Sequence, residues 1–207
     1  YDTNKIFVTN PSFPAFDEYV TEIRKIWESK VMTNGGELHN ELEEQLKRYL
    51  GVSNLVLTVN GHSALEVAIQ SLELKGEIIT TPFTFVSTTH AIVRSGLKPI
   101  FCDVKYSDYT IDEDKIEELI TDDTCAILPV HVFGNVCNVD KIEKIARKYS
   151  LKVIYDAAHT FGVKYQGIPI ESFGDASIIS FHATKVFNTI EGGAICTNNE
   201  KLAKKMS

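Results

Sequence analysis

The chain has 207 residues, of which 43% are hydrophobic and 24% are charged, a composition typical of a folded globular protein. This composition excludes an intrinsically disordered chain, a collagen and a coiled coil, and a chain of this length can bury a core without disulfides or metals. The net charge of −7 argues against nucleic acid or an anionic membrane as the main partner.

The sequence also predicts the compartment in which the protein acts. No apolar run approaches the roughly 18 residues that a membrane-spanning helix needs, and the first residues lack the basic start and apolar core of a signal peptide. The four cysteines form no CxxC pair, and three of them lie inside apolar runs. Buried thiols in a reducing compartment are therefore expected, which favours the cytoplasm.

The first part of the chain is predicted to contain an extended arm and two helices. Residues 1–10 are expected to be extended, and residues 14–29 to form a helix with its apolar side chains near one face. The run from Thr33 to Gly36 predicts a turn. Leucines spaced four residues apart then predict a helix over 37–50, which Gly51 should end.

Short apolar runs then alternate with helical patterns. Strands are predicted at 55–59, 78–81, 100–104, 126–132 and 153–157, and helices after the turn at 61–63 and at 86–93, 112–120 and 139–149. Such alternation is typical of βαβ units and predicts an α/β fold, a mostly parallel central sheet with helices on both faces. Two more strands, at 176–181 and 194–197, follow without a helix between them. Because 201–207 read as a helix just beginning, we expect the chain to be a fragment.

Ligands of parallel α/β sheets bind at the carboxyl ends of the strands, so polar residues that follow the predicted strands are the functional candidates. The turn at 60–63 leads from a strand into a helix, whose free N–H groups and dipole favour a phosphate. It matches neither the GxGxxG nor the Walker pattern. The alternative is an ordinary helix cap made by Asn60 or Ser63.

Two further side chains are expected to meet this cleft. Asp156 ends one predicted strand, and Lys185 follows another. The alternatives are an aspartate that caps the following turn and a solvated loop lysine. A different alternative is a metal site made by His131, His159 and His182, although no HExxH spacing is present.

Taken together, these residues suit one cofactor, pyridoxal phosphate. Its phosphate needs a helix N-terminus, and its ring needs an aromatic face such as the turn at 82–85 offers. Its pyridine nitrogen needs a carboxylate such as Asp156, and its aldehyde needs the amine of Lys185 for a Schiff base.

At these residues the sequence resembles the pyridoxal-phosphate-dependent sugar aminotransferases of the DegT/DnrJ/EryC1/StrS family, which have the aspartate-aminotransferase type of fold. The resemblance runs through essentially the whole chain, and its motifs occur in the family's order, at 33–35, 61–65, 82–85, 129–134, 156–159, 180–185 and 191–193. It implies that residues 1–207 comprise an N-terminal arm and the cofactor-binding large domain. The family's smaller C-terminal domain is expected to be missing from this chain.

The resemblance implies a role for each matching residue. Lys185 is the catalytic residue, which bonds to the cofactor and moves the proton between substrate and cofactor. Asp156 pairs with the pyridinium nitrogen, His159 lies near the ring and its phenolic oxygen, and Phe85 stacks on the ring. The phosphate is held by Gly61, His62, Ser63 and Ser180, while Thr33 and Asn34 border the nucleotide-sugar pocket. Family members often have threonine in place of His62.

The function that the resemblance implies is transfer of an amino group, with glutamate as the expected donor, to a keto sugar of a nucleoside-diphosphate sugar. The protein is expected to be a homodimer in polysaccharide biosynthesis. Relatives with histidine in place of the lysine are sugar dehydratases, so Lys185 favours transamination. Two other classes stay open, a non-catalytic regulatory or sensory module that binds the cofactor and a metal hydrolase that uses the three histidines. The sequence does not distinguish amination at C3 from amination at C4.

Overall fold

The computed structural model describes residues 6, 7 and 9–207, so most of the arm predicted at 1–10 lies outside the described residues. The described helices are α1 (Phe16–Ser29), α2 (Glu37–Leu50), α3 (Gly61–Ser71), α4 (Val86–Arg94), α5 (Val139–Tyr149) and α6 (Glu200–Met206). The described strands are β1 (Asn54–Thr58), β2 (Glu77–Thr80), β3 (Lys98–Phe101), β4 (Thr124–Leu128), β5 (Lys152–Asp156), β6 (Lys164–Tyr165), β7 (Ile168–Pro169), β8 (Ala176–Ser180) and β9 (Gly193–Thr197). In this described part of the chain, no helix has the length and apolar character needed to cross a bilayer.

Seven strands form one sheet in the order β1-β9-β8-β5-β4-β2-β3. The five strands from β8 to β3 are parallel, and β9 runs antiparallel between β8 and β1. The predicted mostly parallel α/β fold is therefore confirmed. Because parallel strands end at the same edge, Asp156 at the end of β5 and Ser180 at the end of β8 lie on one side of the sheet.

Helices cover both faces of the sheet, as the sequence predicts. On one face, α3, α4 and α6 pack on the strands through a cluster that includes Leu65, Ile69 and Ile92. On the other face, α5 packs on β4 and β5 through a cluster that includes Ile142 and Ile145. Burial of each such side chain stabilises the folded state by roughly 1.5–3 kcal/mol. These clusters therefore hold the sheet in place, and with it the edge on which the polar residues lie.

The prediction of a helix at 112–120 is wrong. Only a single 3₁₀ turn, Glu117–Leu119, forms there. Asp112 instead bonds the Asp114 amide through its side chain, and buried Glu113 forms an ion pair with Lys105. Aspartate side chains often bond nearby backbone amides in place of the helical hydrogen bonds, and here such a bond and the ion pair of Glu113 stabilise a non-helical segment.

Other differences from the predicted elements are small. The third strand is Lys98–Phe101 rather than 100–104, and residue Val104 makes only an isolated bridge with Ile111. The short hairpin of β6 and β7 was not predicted.

Helix α1 forms close to the predicted bounds, yet none of its residues, all of which the structure describes, is buried. Its aromatic side chains Phe16 and Trp27 are 77% and 76% exposed. The apolar face predicted for this helix therefore does not pack on the core of the described chain.

Candidate active site

A cavity of about 750 Å³ opens at the carboxyl edge of the parallel strands. Seven of the predicted site residues line it: Gly61, His62, Phe85, Asp156, His159, Ser180 and Lys185. The sheet thus brings together residues that are up to 124 positions apart in the sequence, from 61 to 185. A ligand of the size of a small aromatic phosphate fits a cavity of this volume.

Three of the predicted residues lie elsewhere. Ser63 follows His62 in α3 but does not line the cavity. Its amide donates to the Asn60 Oδ1 atom at 2.8 Å. Thr33 and Asn34 line a separate depression of about 250 Å³ beside the C-terminal end of α1. Within this chain, the depression is not part of the main cavity.

The N-terminus of α3 forms one wall of the cavity. Asn60 caps the helix, so the alternative of a helix cap and the prediction of an anion site coexist at this turn. The amides of Gly61 and His62 have no acceptor among the described residues. A Cβ atom at Gly61 would lie 3.0 Å from the Ser180 Cβ atom, so glycine allows the helix end to approach β8 closely. Two free donors and the helix dipole make this wall suited to an anion.

Asp156 supplies the negative charge of the cavity. Its side chain is only 6% exposed, and its Oδ2 accepts a hydrogen bond of 2.8 Å from the Thr88 hydroxyl while Oδ1 accepts one of 3.2 Å from the Ala158 amide. Burial raises the pKa of this carboxyl, an effect that the Thr88 and Ala158 bonds and the charge of Lys185 oppose. A cation that enters the cavity would therefore find a poorly solvated carboxylate in need of a partner.

Lys185 supplies a positive charge to the same cavity. Burial lowers the pKa of its amine, and Asp156 partly offsets this shift. A lowered pKa increases the fraction of unprotonated amine, which is the nucleophilic form. The structure thus does not support the alternative of a fully solvated loop lysine.

The connection that carries Lys185 is folded rather than open. The Ala183 amide donates to the Ile190 carbonyl at 2.8 Å, and the Thr189 amide donates to the Phe181 carbonyl at 3.0 Å. Two residues after the lysine, Phe187 stacks on Phe161 with ring centroids 4.7 Å apart. These contacts hold the loop against the sheet and keep the lysine over the cavity.

His159 lies at the mouth of the cavity. Its Nδ1 atom accepts a hydrogen bond of 3.1 Å from the Phe133 amide, so the neutral ring carries its proton on Nε2. Partial burial and the nearby charge of Lys185 lower its pKa. The neutral ring can therefore offer a single N–H donor toward a ligand.

Sequence reasoning missed several residues of the site. Thr88, fully buried in the first turn of α4, orients the Asp156 carboxylate, and its hydroxyl bonds the Thr84 hydroxyl at 2.7 Å. The only sequence signal was a pair of threonines four apart. Phe83, in the aromatic turn singled out at 82–85, and Phe133, in the motif at 129–134, also line the cavity, although neither was assigned a role from the sequence.

The three histidines of the metal alternative are each engaged in other contacts. His131 is fully buried and stacks on Tyr155, and its Nδ1 accepts the Cys137 amide. His182 bonds Thr184 at 2.9 Å. Within residues 6, 7 and 9–207, no group of three histidine, cysteine, aspartate or glutamate side chains is arranged to hold a metal ion.

Known proteins share both the sequence and the architecture. A family model described as the DegT/DnrJ/EryC1/StrS aminotransferase family matches residues 16–207. A dTDP-4-amino-4,6-dideoxy-D-glucose transaminase of Shigella dysenteriae is 49% identical over 201 residues, which make up 97% of this chain and 55% of that protein.

Two solved structures are similar over nearly the whole chain. DesI in the presence of its TDP-sugar product has a TM-score of 0.94 at 34% identity, covering 97% of this chain and 51% of that one. NtdA from Bacillus subtilis with bound cofactor PMP has a TM-score of 0.86 at 32% identity, covering 100% and 49%. The chain thus spans about half the length of the relatives that it matches.

Proposed function

The chain belongs to the DegT/DnrJ/EryC1/StrS aminotransferase family, and from this premise we propose that the protein is a pyridoxal-phosphate-dependent transaminase. In this proposal an amino acid, glutamate, donates its amino group, and a keto sugar of a nucleoside-diphosphate sugar accepts it. The name of the Shigella relative supports a dTDP-linked sugar aminated at C4. The observation that carries the proposal is the meeting of the Asp156 carboxylate and the Lys185 amine in one cavity.

The groups that line the cavity fit the cofactor chemically. The free amides of Gly61 and His62 suit its phosphate, and the Ser180 hydroxyl lies beside them. The buried Asp156 carboxylate suits a protonated ring nitrogen. We propose that exposed Phe85 stacks on the ring and that His159 donates its Nε2–H to the phenolic oxygen. The Ser63 hydroxyl stays a proposed phosphate ligand, because its amide is already used by Asn60.

When bound, the cofactor supplies an electron sink that stabilises negative charge at the substrate carbon. Asp156 has the task of keeping the ring nitrogen protonated, since an unpaired buried carboxylate favours a cation beside it. Lys185 has the task of bonding the cofactor and then, once released, of taking and returning the proton at the substrate carbon. Its lowered pKa suits both tasks, because each requires the neutral amine.

The rest of the proposal concerns the whole protein. We assign residues 1–207 to an N-terminal arm and a cofactor-binding large domain, and we propose that two copies pair in the cytoplasm. The exposed apolar face of α1 supports pairing, because large exposed apolar surfaces mark interaction sites. Free thiols at all four cysteines of the described chain support a reducing compartment. We also propose that Thr33 and Asn34 lie beside the sugar nucleotide that the other copy of the pair binds.

The proposal is tested by following the two halves of the reaction separately on the full-length protein. With cofactor and glutamate alone, we expect conversion of the cofactor to its aminated form and release of 2-oxoglutarate. Addition of a dTDP-4-keto-6-deoxy sugar should then consume that form and yield the amino sugar, whereas a 3-keto sugar should react more slowly. Cofactor binding without either half-reaction, across a panel of amine donors, would contradict the proposal and favour the regulatory module.

A further inference from the structure

We infer that three exposed aromatic side chains beside the cavity form a stacking site for the base of the nucleoside-diphosphate substrate, an inference that rests on the proposed function. The three are Phe83, Tyr109 and Phe133, here called the aromatic platform. The ring centroids of Phe83 and Tyr109 are 5.3 Å apart, and those of Phe83 and Phe133 are 6.0 Å apart. Phe133 in turn stacks on His159 with centroids 6.0 Å apart. The platform therefore extends as a row from the cavity to the surface.

The rings of the platform are open to a ligand. Phe83, Tyr109 and Phe133 are 41%, 45% and 71% exposed. Rings of this size normally bury most of their area, and a contiguous exposed group marks a binding surface. Phe83 and Phe133 also line the cavity that holds Lys185, so the surface is continuous with the proposed reaction site.

The loops that carry the platform are built to hold it. Tyr109 and Phe133 both have left-handed backbone, with φ of 62° and 54°, which costs a residue with a side chain about 1 kcal/mol or more. The Asn135 side chain donates to the Asp108 carbonyl at 3.1 Å and so ties the two loops together. The platform thus exists before a ligand arrives, and a preformed site loses less entropy on binding.

The chemistry of the platform selects the base rather than the diphosphate. The nearest lysine of this loop, Lys105, already forms ion pairs with Asp108 and Glu113. The platform therefore presents ring faces and not free positive charge. Aromatic faces bind planar bases by stacking, and they tolerate different bases because every base has a π-face.

The test measures binding of dTDP and of inorganic pyrophosphate to the full-length holoenzyme by calorimetry. Phe133→Leu keeps an apolar side chain but removes the planar face, and we expect it to weaken dTDP binding about tenfold or more. Phe133→Tyr should retain binding within about twofold of the unchanged protein, since it keeps the face. Pyrophosphate, which has no base, should bind all three proteins equally. Tyr106→Ala is the matched control, because Tyr106 lies in the same loop and is 95% exposed without a ring contact to the platform.

Several results would overturn the inference. One is equal affinity of Phe133→Leu and the unchanged protein for dTDP, and another is a parallel loss of pyrophosphate and dTDP binding in the variant. A variant whose oligomeric mass changes while its affinity does not, or an unchanged protein that does not bind dTDP, would overturn it as well. The glutamate half-reaction is measured on the same proteins, and it should be unchanged in the Tyr106→Ala control, whose side chain lies outside the cavity lining. Its absence from the unchanged protein would refute the proposed function, whereas its presence without dTDP binding would refute the platform alone.

Discussion

Lys185→Ala is expected to lower the transamination rate of the full-length protein by about 10³-fold or more, because this substitution removes both the covalent attachment and the proton transfer proposed for one amine. The amine that is lost lies in the cavity with Asp156. The visible absorbance of cofactor bonded to the protein should disappear as well. The measurements are the steady-state rate with glutamate and keto sugar, and the spectrum of the cofactor-loaded variant.

The matched control for this variant is Lys164→Ala. Lys164 is an exposed lysine in β6 outside the cavity, so both the spectrum and the rate should stay unchanged. A Lys185→Ala protein that keeps the absorbance band and turns over would show that another group does the chemistry.

Asp156→Asn is expected to lower the rate by about 30- to 4,000-fold while the protein still binds cofactor. The amide has the size of the carboxylate and can still accept from the Thr88 hydroxyl, yet it carries no charge to keep the ring nitrogen protonated. Removal of one partner from a buried charge pair costs about 2–5 kcal/mol, which sets this range. The test is the rate of the glutamate half-reaction in single-turnover experiments.

The same variant should not lose stability. Burial raises the pKa of Asp156 in the folded state above the value in the unfolded chain, so the folded state binds the proton more tightly. The contribution to stability is then full at low pH and is lost as the pH rises through the folded-state pKa. At pH 7 the cofactor-free Asp156→Asn protein should therefore unfold at the same or a higher temperature than the unchanged protein, and this difference should shrink as the pH is lowered.

The opposite pattern would support the alternative interpretation of this residue. An Asp156→Asn protein with a normal rate and a lowered unfolding temperature would mark Asp156 as a structural aspartate that caps the turn at Ala158. Thr88→Val provides a further control, since it removes a bond that lowers the pKa of Asp156 and leaves the carboxylate in place.

Local sequence signals were sufficient to predict the helices whose ends are marked by capping residues. The sequence predicts α2 and α5 at the residues where they form, because Gly51 adopts the left-handed conformation after α2 and the Asn138 side chain caps α5. Asp156 and Lys185 were also predictable, since Asp156 ends β5 and Lys185 lies in the loop after β8, at the sheet edge where ligands bind.

Features that depend on contacts distant in sequence were not predictable. Ile111 and Ile116 are both buried in one cluster. On a regular α-helix, side chains five residues apart point in directions that differ by about 140°, so a helix through this segment could not bury both in the same cluster. Glu113 is held by Lys105 and by the Asn138 amide, which no local pattern reveals. The platform likewise depends on three loops that meet only in the folded chain. Phe83 lies in the aromatic turn that the sequence singles out at 82–85, but its contacts with Tyr109 and Phe133 could not be predicted.

The central claim is that Lys185 and Asp156 act on one molecule of pyridoxal phosphate, and chemical reduction tests it most directly. The cofactor-loaded full-length protein is treated with borohydride, digested and mapped by mass spectrometry. We predict one reduced cofactor adduct, on the peptide that contains Lys185, and its loss in the presence of excess glutamate. An adduct on a different lysine, or a loaded protein that yields no adduct, would contradict the account.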